Sequence, residues 1–221
     1  KRVVIIPTFN EIENIESILR KTFSLHKFFD VLVVDDNSPD HTAEKVRMLQ
    51  EEFGGRLFLE VRNKKSGLGT AYVHGFKWGL ERKYQYLFEM DADFFFFPDD
   101  LERLYKTCHF GNGDVAVGSR YVTGVNVVNW PLNRVLMSYF ASVYVKFITG
   151  MKIHDATSGF ICYQREVLET INLDKIKFIG YAFQIEMKYR AYVKKFKIVE
   201  VPIIFTDRTK GQSKMSNAII K

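Results

Sequence analysis

The feature that most constrains the fold is a regular alternation of short apolar runs and amphipathic runs in the N-terminal part of the chain. Apolar, often β-branched stretches alternate with stretches whose apolar residues recur every three or four positions, as Ile15, Ile18 and Leu19 do. Strands are predicted over residues 2–7, 31–34, 57–61 and 86–90, and helices over residues 42–53 and 70–83. This pattern predicts successive strand–helix–strand units and therefore an open α/β sheet with mostly parallel strands.

Polar residues follow each of the four predicted strands, in residues 8–11, 35–40, 63–69 and 91–93. Ligands of such sheets bind at the carboxyl ends of the strands, which lie at one edge. Each loop taken singly has an ordinary explanation as a turn or a helix cap, for which Ser38 and Asp40 are suitable residues. Four such loops at one edge favour a ligand site.

The residues of the individual loops indicate which kind of ligand would bind there. Asp91 and Asp93 are two carboxylates at a strand end, which suits a hard cation such as Mg²⁺ or Mn²⁺ that shares substrate phosphates. Residues 35–38 offer acceptors for a ribose or a base, and the glycines Gly67 and Gly69 allow backbone N–H groups to approach a phosphate. Neither GxGxxG nor GxxxxGK[ST] occurs, so a dinucleotide dehydrogenase and a P-loop kinase are excluded.

Composition limits the remaining possibilities. The 221 residues, 47% hydrophobic and 26% charged, fit one globular α/β domain, which we place at residues 1–216. The net charge of +6 suits an anionic partner, but without an aromatic RNA-binding motif or a Lys/Arg tract we expect no nucleic acid. The two cysteines, Cys108 and Cys162, form no disulfide framework and favour a reducing compartment. We expect residues 217–221 to be an end at which a longer chain is cut.

A second feature is the aromatic-rich stretch of residues 132–148, in which only Arg134 and Lys146 are charged. It has two interpretations, a core helix or a helix that lies in a membrane interface beside basic residues. No stretch of the sequence reads as a membrane span.

Eight blocks of sequence, in order along nearly the whole chain, resemble the inverting family 2 glycosyltransferases and, more narrowly, the dolichyl-phosphate (polyprenyl-phosphate) mannose synthases. The blocks are PTFNE (7–11), DDNSPD (35–40), RNKKSGLG (62–69), EMDAD (89–93), VGSRY (117–121), DATSGF (155–160), GYAFQIE (180–186) and GQSKM (211–215). The resemblance implies a GT-A fold and transfer of mannose from GDP-mannose to a polyprenyl phosphate, with inversion, at the cytoplasmic face of a membrane. Attachment there would be peripheral or through a segment outside this sequence.

The resemblance also implies roles for individual residues. Pro7, Phe9 and Glu11 would hold the nucleobase, with Asp36 at the base or ribose, and Lys65 would join the nucleotide-sugar site with Gly69. Asp91 and Asp93 would bind the diphosphate and its Mg²⁺ or Mn²⁺. The phosphates of donor and acceptor would meet three arginines, with help from a lysine: Arg120, Arg134, Arg208 and Lys214. For each arginine, a surface ion pair is the alternative. Residues 207–215 are predicted to be a flap over the donor.

One position departs from the family pattern. Where relatives commonly carry Gln or Ser two residues after the second Asp, this sequence has Phe95, within the run Phe94 to Phe97. Phenylalanine offers no ligand oxygen. The site would then bind metal through the two Asp alone, or belong to a catalytically impaired nucleotide-sugar-binding homologue, or the sequence is altered there. Within the same reaction class, a UDP-glucose-dependent polyprenyl-phosphate glucosyltransferase is the alternative.

Overall fold

The architecture comes from a computed structural model that describes residues 1–26, 28–93, 97–128, 132–180 and 182–206, with only the backbone of Arg134 and Thr206. The strands are β1 (Arg2–Thr8), β2 (Asp30–Asp35), β3 (Leu57–Val61), β4 (Tyr86–Glu89), β5 (Val115–Ser119), β6 (Val127–Val128), β7 (Ile161–Gln164), β8 (Ile198–Pro202) and β9 (Phe205–Thr206). The α-helices are α1 (Ile15–Phe23), α2 (Thr42–Glu52), α3 (Leu68–Glu81), α4 (Asp100–His109), α5 (Leu132–Thr149), α6 (Arg165–Thr170) and α7 (Ala182–Val193), and a 3₁₀ turn covers Leu173–Lys175.

Seven strands form one sheet in the order β3-β2-β1-β4-β7-β5-β8. The strands β3, β2, β1 and β4 are parallel to one another, as the alternating pattern predicts. The strand β7 runs antiparallel to both of its neighbours, β4 and β5, while β8 is parallel to β5. A second, two-stranded sheet pairs β6 with β9.

Both faces of the large sheet are covered, and β1 shows how. Val4 and Ile6 point into a core shared with α1, α2 and α4, whereas Val3 and Ile5 point into a core shared with α3, α6 and α7. This alternation of period two explains why the strand reads as an unbroken apolar run. On the second face, α3 lies close to β1 at Gly75, where an added Cβ would come within 2.5 Å of Ile5 Cγ2.

The helix α5 differs from the other helices because it leaves most of its apolar side chains exposed. Among the α5 side chains that the structure describes, Ser142 alone is buried. Phe147 is 85% exposed and Tyr144 is 67% exposed, and seven more large apolar side chains of the helix are also exposed. The prediction of a core helix over residues 132–148 is therefore wrong, and the alternative of an interfacial helix stays open.

Candidate active site

The parallel pairing of β1, β2, β3 and β4 brings the ends of these strands to one edge of the sheet. Thr8 at the end of β1 is opposite Asp35 at the end of β2, which in turn is opposite Val61 at the end of β3. The segments that follow these strands, together with residues 91–93 after β4, form the candidate site. The sequence-based expectation that these loops share one edge is thus met by the observed register.

Asp35 holds the first two loops together rather than facing a ligand. Its carboxylate is fully buried and accepts hydrogen bonds from Thr8 Oγ1 (2.7 Å), Ser38 N (2.8 Å) and Ser38 Oγ (2.6 Å). The hydroxyl oxygen of Ser38 also accepts a hydrogen bond from Asn10 N at 3.0 Å. A buried carboxylate satisfied in this way stabilises its loops.

Asp36, expected at the base or ribose, ties β2 to the loop after β3. Its Oδ1 accepts a hydrogen bond from Arg62 Nε at 2.6 Å, and its Oδ2 accepts one from Ser66 N at 3.3 Å. Arg62 Nη1 also donates to Thr70 Oγ1 at 2.8 Å, at the start of α3. Asp36 therefore orders the loop that carries Lys65, whatever contact it makes with a ligand.

Two of the residues expected to hold the nucleotide, Phe9 in the loop after β1 and Lys65 in the loop after β3, are in contact. Lys65 Nζ lies 4.4 Å from the centroid of the Phe9 ring, a cation–π geometry. Glu11 is 8% exposed, and its Oε2 accepts a hydrogen bond from Asn14 Nδ2 at 3.2 Å. Pro7 is paired with Val34 within the sheet, so that it sets the direction of the chain that leads to Phe9.

Asp91 and Asp93 lie just beyond β4, where the chain leaves its extended conformation for a turn. Tyr72 OH donates a hydrogen bond to Asp91 Oδ1 at 2.9 Å, and Asp93 is 7% exposed. Burial, together with the charges of Asp91 and Glu89, raises the pKa of Tyr72 well above its ordinary value, so the phenol stays a proton donor. This contact fixes one oxygen of Asp91.

The donor set at Asp91 and Asp93 suits a hard divalent cation, because both side chains offer oxygen ligands. Within the residues that the structure describes, no group of three or more His, Cys, Asp or Glu side chains is placed to bind a metal. Two carboxylates leave coordination positions for phosphate oxygens and water, as expected where a metal binds together with its substrate. The prediction concerning Phe95 falls outside the described residues.

Gly69 has a packing role that the sequence did not indicate. Its N–H donates a hydrogen bond to Ile179 O at 2.9 Å, so this group is not available to a phosphate in the way we expected. An added Cβ would come within 2.7 Å of Phe183 Cδ2 and 2.8 Å of Phe178 O. The glycine therefore lets the start of α3 pack against the segment that leads into α7.

Arg120, expected to meet a phosphate, binds a carboxylate in this structure. It is 6% exposed, and its Nε and Nη2 donate to Asp155 Oδ2 (2.7 Å) and Oδ1 (2.6 Å), while Nη2 also donates to Thr157 Oγ1 (2.8 Å). The ion pair is thus internal, not on the surface as the alternative interpretation had it. The positive charge of Arg120 is compatible with a nearby phosphate, but its bidentate contact is already made with Asp155.

The side chains of the remaining predicted phosphate-binding cations lie outside the described residues. The backbone of Arg134 lies in the first turn of α5, and its side chain is outside the described set. Arg208, Lys214, the predicted flap of residues 207–215 and the end at residues 217–221 also lie outside the described residues.

Sequence reasoning missed a buried polar group that lies beneath the site and consists of Glu89, Gln184 and Lys188. Gln184 Nε2 donates to Glu89 Oε2 at 2.5 Å, and Lys188 is fully buried four residues further along α7. Burial raises the pKa of Glu89 to about 8 and lowers that of Lys188 to about 8. The available signal was the polar pair Gln184 and Lys188, spaced as neighbours on one helix face.

Comparison with known proteins gives the class of protein to which this chain belongs. The family model for glycosyl transferase family 2 matches residues 3–171. The chain belongs to this family and is a glycosyltransferase.

Three relatives that match nearly the whole of this chain give a more specific comparison. The chain is 45% identical over 221 residues to the polyprenol monophosphomannose synthase of Mycolicibacterium smegmatis, covering 100% of this chain and 83% of that protein. It is 42% identical to the undecaprenyl-phosphate mannosyltransferase of Micrococcus luteus, covering 99% and 88% of the two chains. It is 36% identical to the dolichol-phosphate mannosyltransferase of Pyrococcus furiosus, covering 98% of this chain and 60% of that one.

Solved structures with the same fold are more distant in sequence. Glucosyl-3-phosphoglycerate synthase from Mycobacterium tuberculosis, in complex with Mn²⁺, UDP-glucose and phosphoglyceric acid, superposes with a TM-score of 0.68 at 16% identity, covering 96% of this chain and 72% of that one. The mannosyltransferase PcManGT from Pyrobaculum calidifontis, in complex with GDP-Man and Mn²⁺, gives 0.61 at 17% identity, covering 96% and 58%. These likenesses, with the mostly parallel sheet, confirm the predicted GT-A fold.

Proposed function

We propose that this glycosyltransferase transfers mannose from GDP-mannose to the phosphate of a polyprenol, with inversion at the sugar. The observation that carries the proposal is the similarity over the whole chain, at up to 45% identity, to relatives whose names give mannose transfer to a polyprenyl phosphate. The polar edge of the sheet supports it, because acidic, basic and aromatic side chains suited to a nucleotide sugar collect there.

In this proposal Asp91 and Asp93 hold a divalent cation, Mg²⁺ or Mn²⁺. Two neighbours of the same fold were crystallised with Mn²⁺ and a nucleotide sugar, which supports divalent metal use by this chain. When bound, the cation would neutralise charge on the donor diphosphate. Tyr72 would keep Asp91 in the orientation that binds it.

The nucleotide would occupy the loops after β1 and β3. The Lys65 ammonium group lies over the Phe9 ring, which brings a cation and an aromatic side chain together and suits a base next to a phosphate. Glu11, in the loop after β1, and Asp36, directly after β2, supply acceptors next to them, although both already have partners in the protein. Choice between guanine and uracil would depend on these residues.

The acceptor simplifies the chemistry that the protein must supply. A lipid monophosphate is anionic near neutral pH, so its oxygen attacks the anomeric carbon without a protein general base. The work left to the chain is to orient donor and acceptor and to stabilise the charge of the departing diphosphate. Arg120, Arg134 and Arg208, with help from Lys214, are the cations that we assign to this task.

Access to a membrane lipid is assigned to α5. Its exposed aromatic and aliphatic side chains, with Lys146 on the helix and Lys152 just after it, are typical of a helix in the interface of an anionic bilayer. No helix in the described part of the chain has the length and apolar character to cross a bilayer. On the strength of these exposed side chains, we propose contact through α5 at the cytoplasmic face of the membrane.

Calorimetric titration of nucleotide sugars tests the donor side of the proposal. GDP-mannose and UDP-glucose are each titrated with Mn²⁺ and with a chelator. We expect GDP-mannose to bind with Mn²⁺ and to lose at least about tenfold in affinity with the chelator. Preference for UDP-glucose would favour the glucosyltransferase alternative. Binding that ignores the metal would favour an impaired homologue and would point to Phe95, for which Phe95→Gln is the restoring variant.

A further inference from the structure

Lys188 is a fully buried lysine whose ammonium group donates hydrogen bonds to three backbone carbonyls. Its Nζ donates to Ser158 O at 2.6 Å, Ala156 O at 3.0 Å and Gln184 O at 3.2 Å. The Gln184 carbonyl belongs to the same helix, one turn earlier. The other two carbonyls belong to residues 155–159, a segment that we call the 155–159 turn. Lys188 therefore joins α7 to this turn.

Burying an ammonium group costs free energy of desolvation that an apolar side chain of the same size does not. Burial lowers the pKa of Lys188 to about 8, an effect that Glu89, Asp155 and Glu200 oppose and that Arg120 adds to. A methionine of similar volume would avoid the desolvation cost. Packing alone thus does not account for a lysine at this position. Its hydrogen bonds to the 155–159 turn point to a role that depends on the contacts of that turn.

The 155–159 turn touches both sides of the candidate site. On one side, Asp155 binds Arg120 with both carboxylate oxygens, and Thr157 Oγ1 accepts a third hydrogen bond from Arg120. On the other side, an added Cβ on Gly159 would lie 4.0 Å from Asp91 Oδ2 and 3.1 Å from Gln184 Nε2. One short segment therefore sets the place of a predicted phosphate-side cation and borders a predicted metal ligand.

We propose that Lys188 is a positioning residue for sugar transfer, which acts by binding the Ala156 and Ser158 carbonyls and so fixing the 155–159 turn between Arg120 and Asp91. This inference rests on the proposed function, because it assumes that Arg120 and Asp91 serve the reaction. Lys188 itself is fully buried and bound to the turn, so it would act on the site through the turn. Its effect is expected on the geometry of the site, where displacements of about 1 Å cost as much as about 100-fold in rate.

The test compares Lys188→Met, which keeps the length and removes the charge, with Lys188→Arg, which keeps the charge. Two control variants are matched to them. Lys194→Met makes the same exchange at an exposed lysine beside the end of α7, and Leu49→Ala lowers stability from a buried position in α2. The melting temperature, kcat/KM for mannose transfer and backbone hydrogen exchange are measured for each, well below the lowest melting temperature.

Positioning predicts that Lys188→Met lowers kcat/KM at least about 30-fold and that Lys188→Arg recovers most of that loss. Leu49→Ala and Lys194→Met stay within about twofold of the parent, even where Leu49→Ala melts as early as Lys188→Met. Hydrogen exchange in the 155–159 turn speeds up about tenfold in Lys188→Met and is unchanged in β1, β2 and β3.

Several outcomes would overturn the proposal. Activity that survives a loosened turn would mean that the position of the turn is irrelevant, and lost activity with an unchanged turn would mean that Lys188 acts by another route. A loss matched by Leu49→Ala at equal melting temperature would reduce the effect to stability. If Lys188→Met does not fold, Lys188→Gln is judged by the same criteria. If neither folds, Lys188 is a requirement of the fold and the proposal is wrong.

Failure of the proposed function is recognised separately. A parent chain that transfers no mannose counts against that function, whereas the exchange measurement and the affinity for GDP with Mn²⁺ still report on Lys188. Positioning then predicts that Lys188→Met loosens the turn and weakens GDP binding by about tenfold, with both controls unaffected. Unchanged GDP affinity with a loosened turn would contradict it.

Discussion

Asp91 and Asp93 carry the first prediction at the residue scale. Asp91→Asn keeps the size of the side chain and its contact with Tyr72 but removes the negative charge, so we expect transfer to fall at least about 100-fold. The stimulation of GDP binding by Mn²⁺, followed by calorimetry, should disappear with it. Asp174→Asn, at a side chain that is 78% exposed, serves as the control and should behave as the parent. A metal response that survives in Asp91→Asn would contradict the assignment.

The buried pair of Arg120 and Asp155 carries a prediction on stability. Asp155→Asn leaves the guanidinium charge buried without its carboxylate, which should reduce the free energy of unfolding by about 3 kcal/mol at pH 7. Urea unfolding of parent and variant measures the difference. A change within experimental error would mean that Arg120 finds another anion when Asp155 is lost.

The same pair gives a pH dependence whose sign follows from the pKa of Asp155. Burial acts to raise that pKa, but the charge and hydrogen bonds of Arg120 outweigh it and hold the pKa below its usual 3.8. A carboxyl group with a lowered pKa contributes stability that is present above its unfolded pKa and lost as the pH falls through its folded pKa. The difference in the free energy of unfolding between parent and Asp155→Asn should therefore be constant from pH 7 to about 5 and become smaller below about pH 4. A difference that grows on acidification would contradict this prediction.

What the sequence could predict about residues depended on how local the evidence was. Asp91 and Asp93 follow an apolar strand directly, so their place at the sheet edge could be predicted from neighbouring residues. Arg120 and Asp155 are 35 residues apart, and nothing in either local pattern indicates that they pair. Lys188 was missed for the same reason, because its partners in the 155–159 turn come together with α7 only in the tertiary structure.

At the scale of elements, α5 carries the prediction on membrane contact. Phe147→Glu replaces a side chain that is 85% exposed, so the fold should be unaffected while binding to anionic vesicles weakens at least about tenfold. Met48→Glu, at a side chain of α2 that is 70% exposed, makes a similar exchange on another surface and should leave vesicle binding nearly unchanged. Co-sedimentation with vesicles measures both. Equal losses in the two variants would show that general charge, not α5, sets the affinity.

The junction between α3 and the segment before α7 carries a further prediction. Gly69→Ala would place a methyl group 2.7 Å from Phe183 Cδ2, so we expect the free energy of unfolding to fall by about 1–3 kcal/mol. Gly180→Ala is the matched control, since no atom of the described residues beyond its chain neighbours lies within 4 Å of its added Cβ. Chemical denaturation of both variants checks this. Equal stability of the two variants would show that the junction rearranges to accommodate the added methyl group at little cost in free energy.

The elements themselves could be predicted where strand and helix alternate. The bounds of β1, β2, β3 and α2 lie within one or two residues of those expected. The strand β7 was not predicted, and its antiparallel insertion between β4 and β5 depends on long-range pairing. The helix α4 was missed as well, although Leu101, Leu104 and Cys108 are spaced as one buried face. The exposure of α5 could not be decided from its composition, which suits a core as well as an interface.

At the scale of the whole molecule, the sheet brings the loops of one edge together, and α5 exposes the apolar side chains that we propose for contact with a membrane. The fold class and the family could be predicted from eight short blocks because their order along the chain is itself specific. Donor and acceptor cannot be derived from the fold, since the solved neighbours with a similar sheet were crystallised with UDP-glucose and with GDP-Man.

The most direct test of the account is transfer of labelled mannose from GDP-mannose to polyprenyl phosphate in vesicles, with Mn²⁺ or Mg²⁺ supplied. Label should appear in the lipid fraction as a mannosyl phosphate of inverted configuration, and a chelator or Asp91→Asn should abolish it. UDP-glucose at the same concentration should give little product. Intact, folded protein that binds GDP-mannose but puts no mannose on any polyprenyl phosphate would contradict the central claim.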